Sequence, residues 1–377
     1  MSDSEPNKPI TVLHVIGSLR WGGAQMCLKN IVEHSNDRQI RHIVYSLRKK
    51  PIEVAIDSEV LVSAFPNYDP RKMLELFRMC RRQRIDIIQA HLHKPAILAL
   101  VAAFFCKAKI IVHEHGPIFS VGIQFSLYRL LLRLFRRKAD LFIAVSNATS
   151  QRLVKKAHID PDKITVLYNP IDPDRFDPDH TLREKMRKHL QIATDDIVLG
   201  FVGRLHHVKG VDILIDAMAL LLKKSPHYLL LILGDGPQRH SLEAQAKRLA
   251  IHHRVRFLGF QENVPQLIGA FDIAVVPSRQ EAFGLVAVEF MQAKIPLVSS
   301  AVEGLKEIVT HDETAWVTTQ NTPAQISQGV EKLRQNLTLR NRLAESAWKF
   351  SRMFSIDSYV DRIEKLYHQM TNSNSNG

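Results

Sequence analysis

The chain of 377 residues lacks the sequence features that are typical of several protein classes. Its only cysteines, Cys27, Cys80 and Cys106, lie far apart and show no C-x-x-C spacing. This argues against a disulfide framework or a zinc ribbon and suits a reducing compartment. No apolar run reaches the 18 residues typical of a membrane-spanning helix, and the polar, acidic N-terminus does not resemble a secretory signal. We therefore expect a cytosolic or membrane-surface protein.

Aromatic residues are also scarce, at 7%, and no zinc-finger, RRM or helix-turn-helix signature is present, so nucleic acid is not an expected partner. What the chain does have is basic charge. It contains 51 Lys plus Arg against 38 Asp plus Glu, a net charge of +13, which favours anionic partners such as phosphorylated ligands or a membrane surface. The length fits two domains of ordinary size.

The first half alternates strand-like and helix-like segments. A predicted strand at 10–18 leads into a loop with Gly22 and Gly23 and then a helix that includes 26–32. Such a succession opens a doubly wound parallel sheet, although the loop is not G-x-G-x-x-G and gives a nicotinamide cofactor little support. Further strands are predicted at 42–46, 85–90, 110–112, 141–145 and 164–167.

A second unit of the same kind begins near Asp196. Its predicted strands are 197–205, 229–237, 255–260, 273–276 and 296–300. A joint is expected at 169–178, which holds three prolines and three aspartates. We predict an α/β fold of two Rossmann-like doubly wound domains, 1–175 and 176–354, facing each other across a cleft. A final helix at about 355–370 is expected to pack back on the first domain.

The segment 271–293 carries the most chemistry. A short apolar strand is stopped at Pro277, and after a polar loop a helix is predicted from about Gly284. Glu281 in the loop and Glu289 in the helix flank the free amides of the helix start. Those amides favour phosphate, and a carboxylate accepts hydrogen bonds from sugar hydroxyls. The pattern indicates a sugar-nucleotide site.

Two further motifs follow strands of the second unit. Arg204 and Lys209 flank a turn and either neutralise a diphosphate or are ordinary surface cations. The Gly-Asp-Gly-Pro sequence at 234–237 either approaches a nucleotide or simply forms a turn, and by itself the turn is favoured.

Histidines end two strands of the first unit. His91 and His93 follow one strand and His113 and His115 another, and a spacing of two places each pair on one face. A four-histidine metal site is one interpretation, but no cysteine or carboxylate stands beside them at ligand spacing. A single histidine that bonds a substrate hydroxyl is preferred, and His115 is the best placed.

A basic amphipathic helix is predicted at 125–138, from Phe125 to Lys138. Its apolar residues recur at helical intervals, and four arginines and a lysine lie among and after them. Such a helix either lies on an anionic membrane or is a core helix with a solvated basic edge.

Glu281 and Glu289, with seven residues between them, resemble the E-x7-E motif of retaining GT-B glycosyltransferases of family GT4. The resemblance spans nearly the whole chain. The matching positions, in order, are the Gly22–Gly23 loop, His115 with Gly116, Ser146, Asn169 with Asp172, Arg204 with Lys209, the Gly-Asp-Gly-Pro turn, and the segment from Pro277 to Gly284.

The resemblance implies a role for each matching residue. Glu281 would meet the hydroxyls of the donor sugar, Glu289 would hold the ribose, and His115 would sit by the reacting sugar. The implied catalytic residues are therefore His115 and Glu281. The implied donor-binding residues are Gly22, Gly23, Arg204, Lys209, Gly259, Phe260, Phe283, Gly284, Leu285, Val286 and Glu289.

The implied activity is transfer of a sugar from a UDP- or GDP-linked donor to a hydroxyl acceptor, with retention, in the synthesis of a lipid-linked or envelope glycan. A sugar-nucleotide epimerase or phosphorylase on the same fold is the alternative. No cofactor and no metal are expected, and no D-x-D triplet ends a strand. The chain departs from the family in having Asn169-Pro170 where Asn-Gly is common, and in the bulk of His206 and His207.

Overall fold

A computed structural model describes residues 9–37, 39–49, 53–66, 69–116, 122–176 and 180–372, with only the backbone described at 180 and 181. The chain forms two compact units. The first comprises Met1–Pro170 and Ile356–Gly377, and the second Ile171–Ser355. The boundary after Pro170 falls within the predicted joint, of which residues 177 and 178 lie outside the described part.

The first unit is built on a parallel sheet of seven described strands. These are β1 Ile10–Ile16, β2 Ile40–Ser46, β3 Glu59–Val62, β4 Ile87–His91, β5 Lys109–Glu114, β6 Leu141–Ala144 and β7 Ile164–Val166. They lie in the order β3-β2-β1-β4-β5-β6-β7. The central strands are buried along almost their whole length, as expected for a parallel sheet covered by helices on both faces.

Helices connect these strands. They are α1 Gly23–Glu33, α2 Arg71–Arg82, α3 His93–Ala102, α4 Ile123–Phe135 and α5 Asn147–Ala157. The predicted basic helix therefore begins two residues earlier than expected, and a 3-10 turn from Arg136 to Lys138 follows its end.

The second unit has a parallel sheet of six described strands. These are β8 Ile197–Val202, β9 Tyr228–Leu233, β10 Val255–Gly259, β11 Ile273–Val276, β12 Leu297–Ser300 and β13 Trp316–Thr318, in the order β10-β9-β8-β11-β12-β13. Its helices are α6 His180–His189, α7 Val211–Leu222, α8 Arg239–Arg248, α9 Val264–Ile268, α10 Leu285–Gln292, α11 Pro323–Gln335 and α12 Leu337–Ser351.

The last helix, α13 Ile356–Asn372, belongs to the first unit. Tyr359 and Tyr367 are buried in the same apolar cluster as residues of the first sheet. The Tyr367 hydroxyl donates a hydrogen bond to the side-chain oxygen of Gln89 on β4, and the Tyr359 hydroxyl lies 3.5 Å from the Cys27 sulfur. The C-terminal helix therefore contributes to the core of the unit formed by the first 170 residues.

Each sheet reverses its strand order beside its first strand. The reversal lies between β1 and β4 in the first unit and between β8 and β11 in the second. In open parallel sheets, ligands bind outside the carboxyl ends of the strands at this point. Two strands, β3 and β13, were not predicted. Both are edge strands of three or four residues, most of them partly exposed, and are too short to show a period.

Candidate active site

The loop between β11 and α10 forms one side of the site in the second unit. The four residues of β11 are buried, and Pro277 ends the strand. Gly284 then has φ +104, and a Cβ there would lie 2.6 Å from a methyl carbon of Leu305. A side chain at 284 would therefore meet both backbone strain and a clash, so glycine fixes the point at which α10 begins.

The start of α10 presents free amides. No side chain caps the helix, and no acidic residue lies in its first turn. The Ala287 amide donates to the Gly284 carbonyl (2.9 Å), but the Leu285 and Val286 amides have no hydrogen-bond partner in the described part of the chain. Two unpaired amides at the positive end of a helix favour an anion.

Glu281 is held beside this helix start by an ion pair. Its Oε2 lies 2.6 Å from the Lys209 ammonium and 3.2 Å from the Ser278 hydroxyl, and the Glu281 amide donates to the Glu303 carboxylate. The Lys209 and Glu281 side chains are 26% and 16% exposed. The pair is therefore partly shielded from water and still accessible to a ligand.

The loops after β8 and β11 are locked together, which explains how residues 72 positions apart meet. Gly210 has φ +67, and a Cβ there would lie 1.9 Å from the Pro277 carbonyl oxygen. The Arg279 amide donates to the Val208 carbonyl (2.7 Å), and the Arg279 guanidinium pairs with both carboxylate oxygens of Asp212. These contacts hold the turn that carries Lys209 in place.

Arg204 lies on the same post-β8 loop. Its side chain is exposed and has no partner among the described residues. The Gly-Asp-Gly-Pro turn supports this loop, because the Leu205 amide donates to the Asp235 carbonyl (2.9 Å) and a Cβ at Gly234 would lie 2.0 Å from the Gly203 oxygen. The motif acts as a turn that positions the loop of Arg204.

Glu289 lies in the second turn of α10. Its side chain is half-buried, and its carboxylate has no hydrogen-bond partner within the described residues. Burial raises the pKa of Glu289 to about 7, and nearby Arg175 opposes part of that shift. A half-buried carboxyl group without a partner among the described residues is suited to hydrogen bonding with ligand hydroxyls.

The remaining predicted donor residues differ in what they offer. Phe283 is buried, with its ring edge-on to Phe354 at 5.4 Å, so its side chain belongs to the core. Gly259 ends β10 with φ +71, and its carbonyl accepts from the Gly234 amide. Phe260 is half exposed.

In the first unit, Gly22 and Gly23 follow β1. Gly22 is the N-cap of α1 and Gly23 its first residue. A Cβ at Gly22 would lie 2.7 Å from the side-chain oxygen of Gln25, whereas a Cβ at Gly23 would meet nothing within 4 Å. The start of α1 at the β1–β4 reversal is therefore open at Gly23.

His115 follows the end of β5. Its Nε2 lies 3.1 Å from His91 Nδ1, and its ring stacks on that of His113 at 3.9 Å. Its Nδ1 is buried and has no partner in the described structure. Burial lowers the pKa of His115 to about 3, so the ring is neutral.

The histidine cluster differs in membership from the predicted one. The prediction that His91 and His93 share a strand face is wrong, because Leu92 takes φ +72 and His93 begins α3, where its ring faces Phe125 at 5.2 Å. Two other members were missed. His14 and His42 come from β1 and β2, and no local spacing signals them.

The fold also brings a cysteine to this cluster. The Cys27 sulfur and ring nitrogens of His113 and His115 all lie within 4.8 Å of one another. Cys27 lies on α1, far from His113 and His115 along the chain. Spacing in the sequence therefore could not reveal this group of metal-ligand type.

Comparisons with known proteins match both halves. The model of Glycosyltransferase Family 4 matches residues 21–175 and that of Glycosyl transferases group 1 residues 183–350. An uncharacterized glycosyltransferase of Methanocaldococcus jannaschii is 35% identical over 212 residues, 55% of this chain and 54% of that protein. N-acetyl-alpha-D-glucosaminyl L-malate synthase of Bacillus anthracis is 29% identical over 84% of this chain and 83% of that protein. The crystal structure of Anabaena HepE with UDP and glucose has a TM-score of 0.85 at 23% identity, covering 96% of this chain and 100% of that chain.

Two Rossmann-like units, each with candidate ligand groups where its strand order reverses, have the architecture of the GT-B fold. The two family models together cover most of the chain and identify it as a glycosyltransferase of the GT4 type. The predicted family, fold class and enzyme class are thereby confirmed.

Proposed function

We propose that this glycosyltransferase uses a nucleotide-sugar donor and retains the anomeric configuration of the sugar it transfers. The observation that carries the proposal is the group of ligand-type side chains and amides at the β8–β11 reversal. The two loops and the helix that follow these strands carry all of these groups. They are the free amides of the helix start, an ion-paired lysine and glutamate, an unpaired arginine and an unpaired carboxyl group.

Each part of a nucleotide sugar has a chemical counterpart in this group. We assign the diphosphate to the amides of Gly284, Leu285 and Val286, with charge neutralisation by Arg204 and Lys209. The two carboxylates accept hydrogen bonds from hydroxyl groups. We assign Glu281 to the hydroxyls of the sugar and Glu289 to those of the ribose. The base is assigned to the surface at Gly259 and Phe260, because the Phe260 side chain is half exposed and aromatic rings stack on bases.

In the first unit we assign Gly23 to the phosphates and His115 to the reacting sugar. Gly23 has open space where a side chain would stand. His115 is neutral, so it can hydrogen-bond a hydroxyl without adding positive charge near an electron-poor anomeric carbon.

The proposed mechanism follows from the leaving group. As the anomeric C–O bond breaks, negative charge grows on the nucleoside diphosphate. Preorganised amides and cations stabilise that charge more strongly in the transition state than in the ground state. We propose that the acceptor hydroxyl attacks from the face that the diphosphate leaves, which retains the configuration.

For the acceptor we propose a glycan or lipid-linked glycan of the cell envelope. UDP-Gal:alpha-D-GlcNAc-diphosphoundecaprenol alpha-1,3-galactosyltransferase of Escherichia coli is 24% identical to this chain over 309 residues. The relatives bear the names of synthases and transferases, so the epimerase or phosphorylase alternative is not favoured.

We further propose that α4 rests on an anionic membrane surface. Ile123, Leu127, Leu130 and Leu134 recur along one stripe of the helix and are 51% to 90% exposed, while only Tyr128 and Leu132 are buried. Basic side chains lie on the helix and in the turn that follows it, at Arg129, Arg133, Arg136, Arg137 and Lys138. Among the described residues no helix combines the length and apolarity needed to cross a bilayer. An exposed leucine stripe with adjacent cations matches a surface of apolar chains and anionic headgroups.

Vesicle flotation tests the membrane proposal. The protein should float with vesicles containing phosphatidylglycerol and remain in solution with phosphatidylcholine alone. The double variant Leu127→Ser, Leu130→Ser should bind at least about tenfold less tightly, because each half-exposed leucine contributes about 1 kcal/mol on burial. Leu337→Ser, at an equally exposed leucine of α12, is the matched control. Equal flotation of the double variant and the wild type would remove the proposal.

The catalytic proposal is tested in two stages. A thermal-shift screen of UDP- and GDP-sugars should identify a donor, since a ligand at 100 times its Kd stabilises by about 2.7 kcal/mol. Incubation of that donor with lipid-linked oligosaccharides, followed by NMR of the product, should show the anomeric configuration of the donor. An inverted linkage would overturn the retaining mechanism, and an altered free nucleotide sugar or transfer to phosphate would overturn the assignment of a hydroxyl acceptor.

A further inference from the structure

Four histidines form an unbroken row of nitrogen contacts across the sheet of the first unit. His42 Nδ1 lies 2.9 Å from His14 Nε2, and His14 Nδ1 lies 3.2 Å from His91 Nε2. His91 Nδ1 lies 3.1 Å from Nε2 of His115. Every contact joins an Nδ1 to an Nε2, so the row runs in one sense from β2 to the end of β5.

The strand register explains why the row exists. His42 lies opposite Val12, two residues before His14 on β1, and His91 lies opposite Ile16, two residues after His14. Each step therefore moves one strand sideways and two residues towards the carboxyl ends. Because side chains alternate with a period of two, all members point to the same face of the sheet. The last step, from β4 to the residue after β5, follows the same rule.

All four rings are neutral. Burial lowers the pKa of His42 to about 4 and that of His115 to about 3, and it lowers the pKa of His14 and His91 well below the ordinary value. A neutral imidazole has one N–H and one lone pair. The row can therefore exist in two arrangements, with every Nε2 protonated or every Nδ1 protonated, and a shift of one proton per contact converts one into the other.

The two end nitrogens are the ones left without partners. His42 Nε2 and His115 Nδ1 are buried and make no hydrogen bond to any described residue. His42 is among the residues that line a surface cavity, together with Asp37, Ser58 and Glu59. The other end is the histidine assigned above to the reacting sugar.

We propose that this row is a proton relay, which removes the proton of the acceptor hydroxyl at His115 and delivers one to solvent at His42. The proposal rests on the proposed function, which supplies a hydroxyl that must lose a proton as it attacks. The relay gives that proton a destination other than the leaving diphosphate. Because His115 passes a proton onward as it receives one, it need not hold a positive charge.

The transfer balances as follows. The hydroxyl oxygen bonds to the sugar, the electron pair of the broken bond stays on the diphosphate, and the hydroxyl proton moves to His115 Nδ1. The Nε2 protons of His115, His91 and His14 each move to the next Nδ1, and the Nε2 proton of His42 leaves to water. Uptake of a proton at His42, with release at His115 after the product departs, restores the starting tautomers.

The first test needs no substrate. In the resting protein, ¹⁵N NMR of the imidazoles reports which nitrogen carries each proton. His42→Gln changes one end of the row and should alter the tautomer population of His115, three contacts away. His252→Gln, at an exposed histidine of the second unit, should leave it unchanged. A His115 spectrum that is identical in wild type and His42→Gln would overturn the relay.

The second test uses the donor found by thermal shift. His14→Gln keeps a polar side chain in the middle of the row but removes the imidazole tautomers. It should lower kcat at least tenfold, leave the donor-induced thermal shift unchanged, and abolish a solvent deuterium isotope effect that curves with the D₂O fraction. An unchanged kcat and isotope effect would overturn the relay. If the His42 and His115 tautomers are coupled but no sugar is transferred, the relay is supported and the proposed function is overturned. Failure of the relay and failure of the proposed function are therefore distinguishable.

Discussion

Lys209→Ala is the perturbation that most directly probes the donor site. Lys209 has two expected tasks. It neutralises the diphosphate, and through its 2.6 Å contact it orients the Glu281 carboxylate. After truncation, Glu281 Oε2 keeps the Ser278 hydroxyl at 3.2 Å as a partner, so the carboxylate stays near its position but is less firmly held.

The size of the effect differs between folding and catalysis. The ion pair is partly exposed, so its loss should cost about 1 kcal/mol of stability or less. Loss of one preorganised donor to a developing charge costs about 3 kcal/mol of transition-state stabilisation. Since about 1.4 kcal/mol is tenfold in rate, kcat/KM should fall about 100-fold or more.

The assay is release of nucleoside diphosphate from the donor found by thermal shift, with melting temperature measured in parallel. Lys209→Arg keeps the charge and should recover part of the lost rate. Lys349→Ala removes an exposed lysine that lies 3.9 Å from Glu345 and should match the wild type in both measurements. Activity of Lys209→Ala within threefold of the wild type would refute the assignment of the diphosphate to this turn.

Two further predictions concern Glu289 and the glycines at the starts of α1 and α7. The folded-state pKa of Glu289 is about 7 against an ordinary 4.5, so the folded protein binds more protons between these values and stability should fall as pH rises from 4.5 through 7. Glu289→Gln should flatten that dependence and raise Tm at pH 8 by about 2 °C or more. The same change of Tm with pH in the variant and the wild type would contradict this prediction. Gly23→Ala should keep its Tm but lose donor affinity, because its Cβ meets no described atom within 4 Å and would meet the phosphates assigned to this position. Gly210→Ala should unfold readily, because its Cβ would meet the Pro277 oxygen. Equal Tm values for the two glycine variants, or unchanged donor affinity in Gly23→Ala, would show the reasoning to be wrong.

The segment from β11 to α10 was predictable because its structure is decided locally. A buried apolar run, a proline that ends it and a glycine that starts the helix all lie within 12 residues. The pairing of Glu281 with Lys209 was not predictable in the same way. It depends on the adjacency of β8 and β11 and on the close backbone approach at Gly210, neither of which leaves a periodic signal.

The helix α4 shows a different limit. Its amphipathic pattern predicted the helix itself and left two interpretations of its apolar face. A leucine stripe has the same spacing whether it meets the core or solvent, so the tertiary contacts decide between them. They bury Tyr128 and Leu132 and leave Leu127, Leu130 and Leu134 exposed.

Spacing along one strand predicted part of the histidine row but not its continuation across neighbouring strands. Spacing along one strand correctly placed His113 and His115 together, but a single histidine in an apolar strand, such as His14 or His42, resembles any buried histidine. Strand order and register turn such single residues into a connected row. The packing of α1 on the sheet also brings Cys27 beside His113 and His115. The Nδ1 lone pair of His115 has no partner among the described residues and can accept either a cation or the proton of the relay. A lone pair bound to a cation cannot accept a proton, so the two uses exclude each other, and the tautomer coupling between His42 and His115 requires the lone pair to be free.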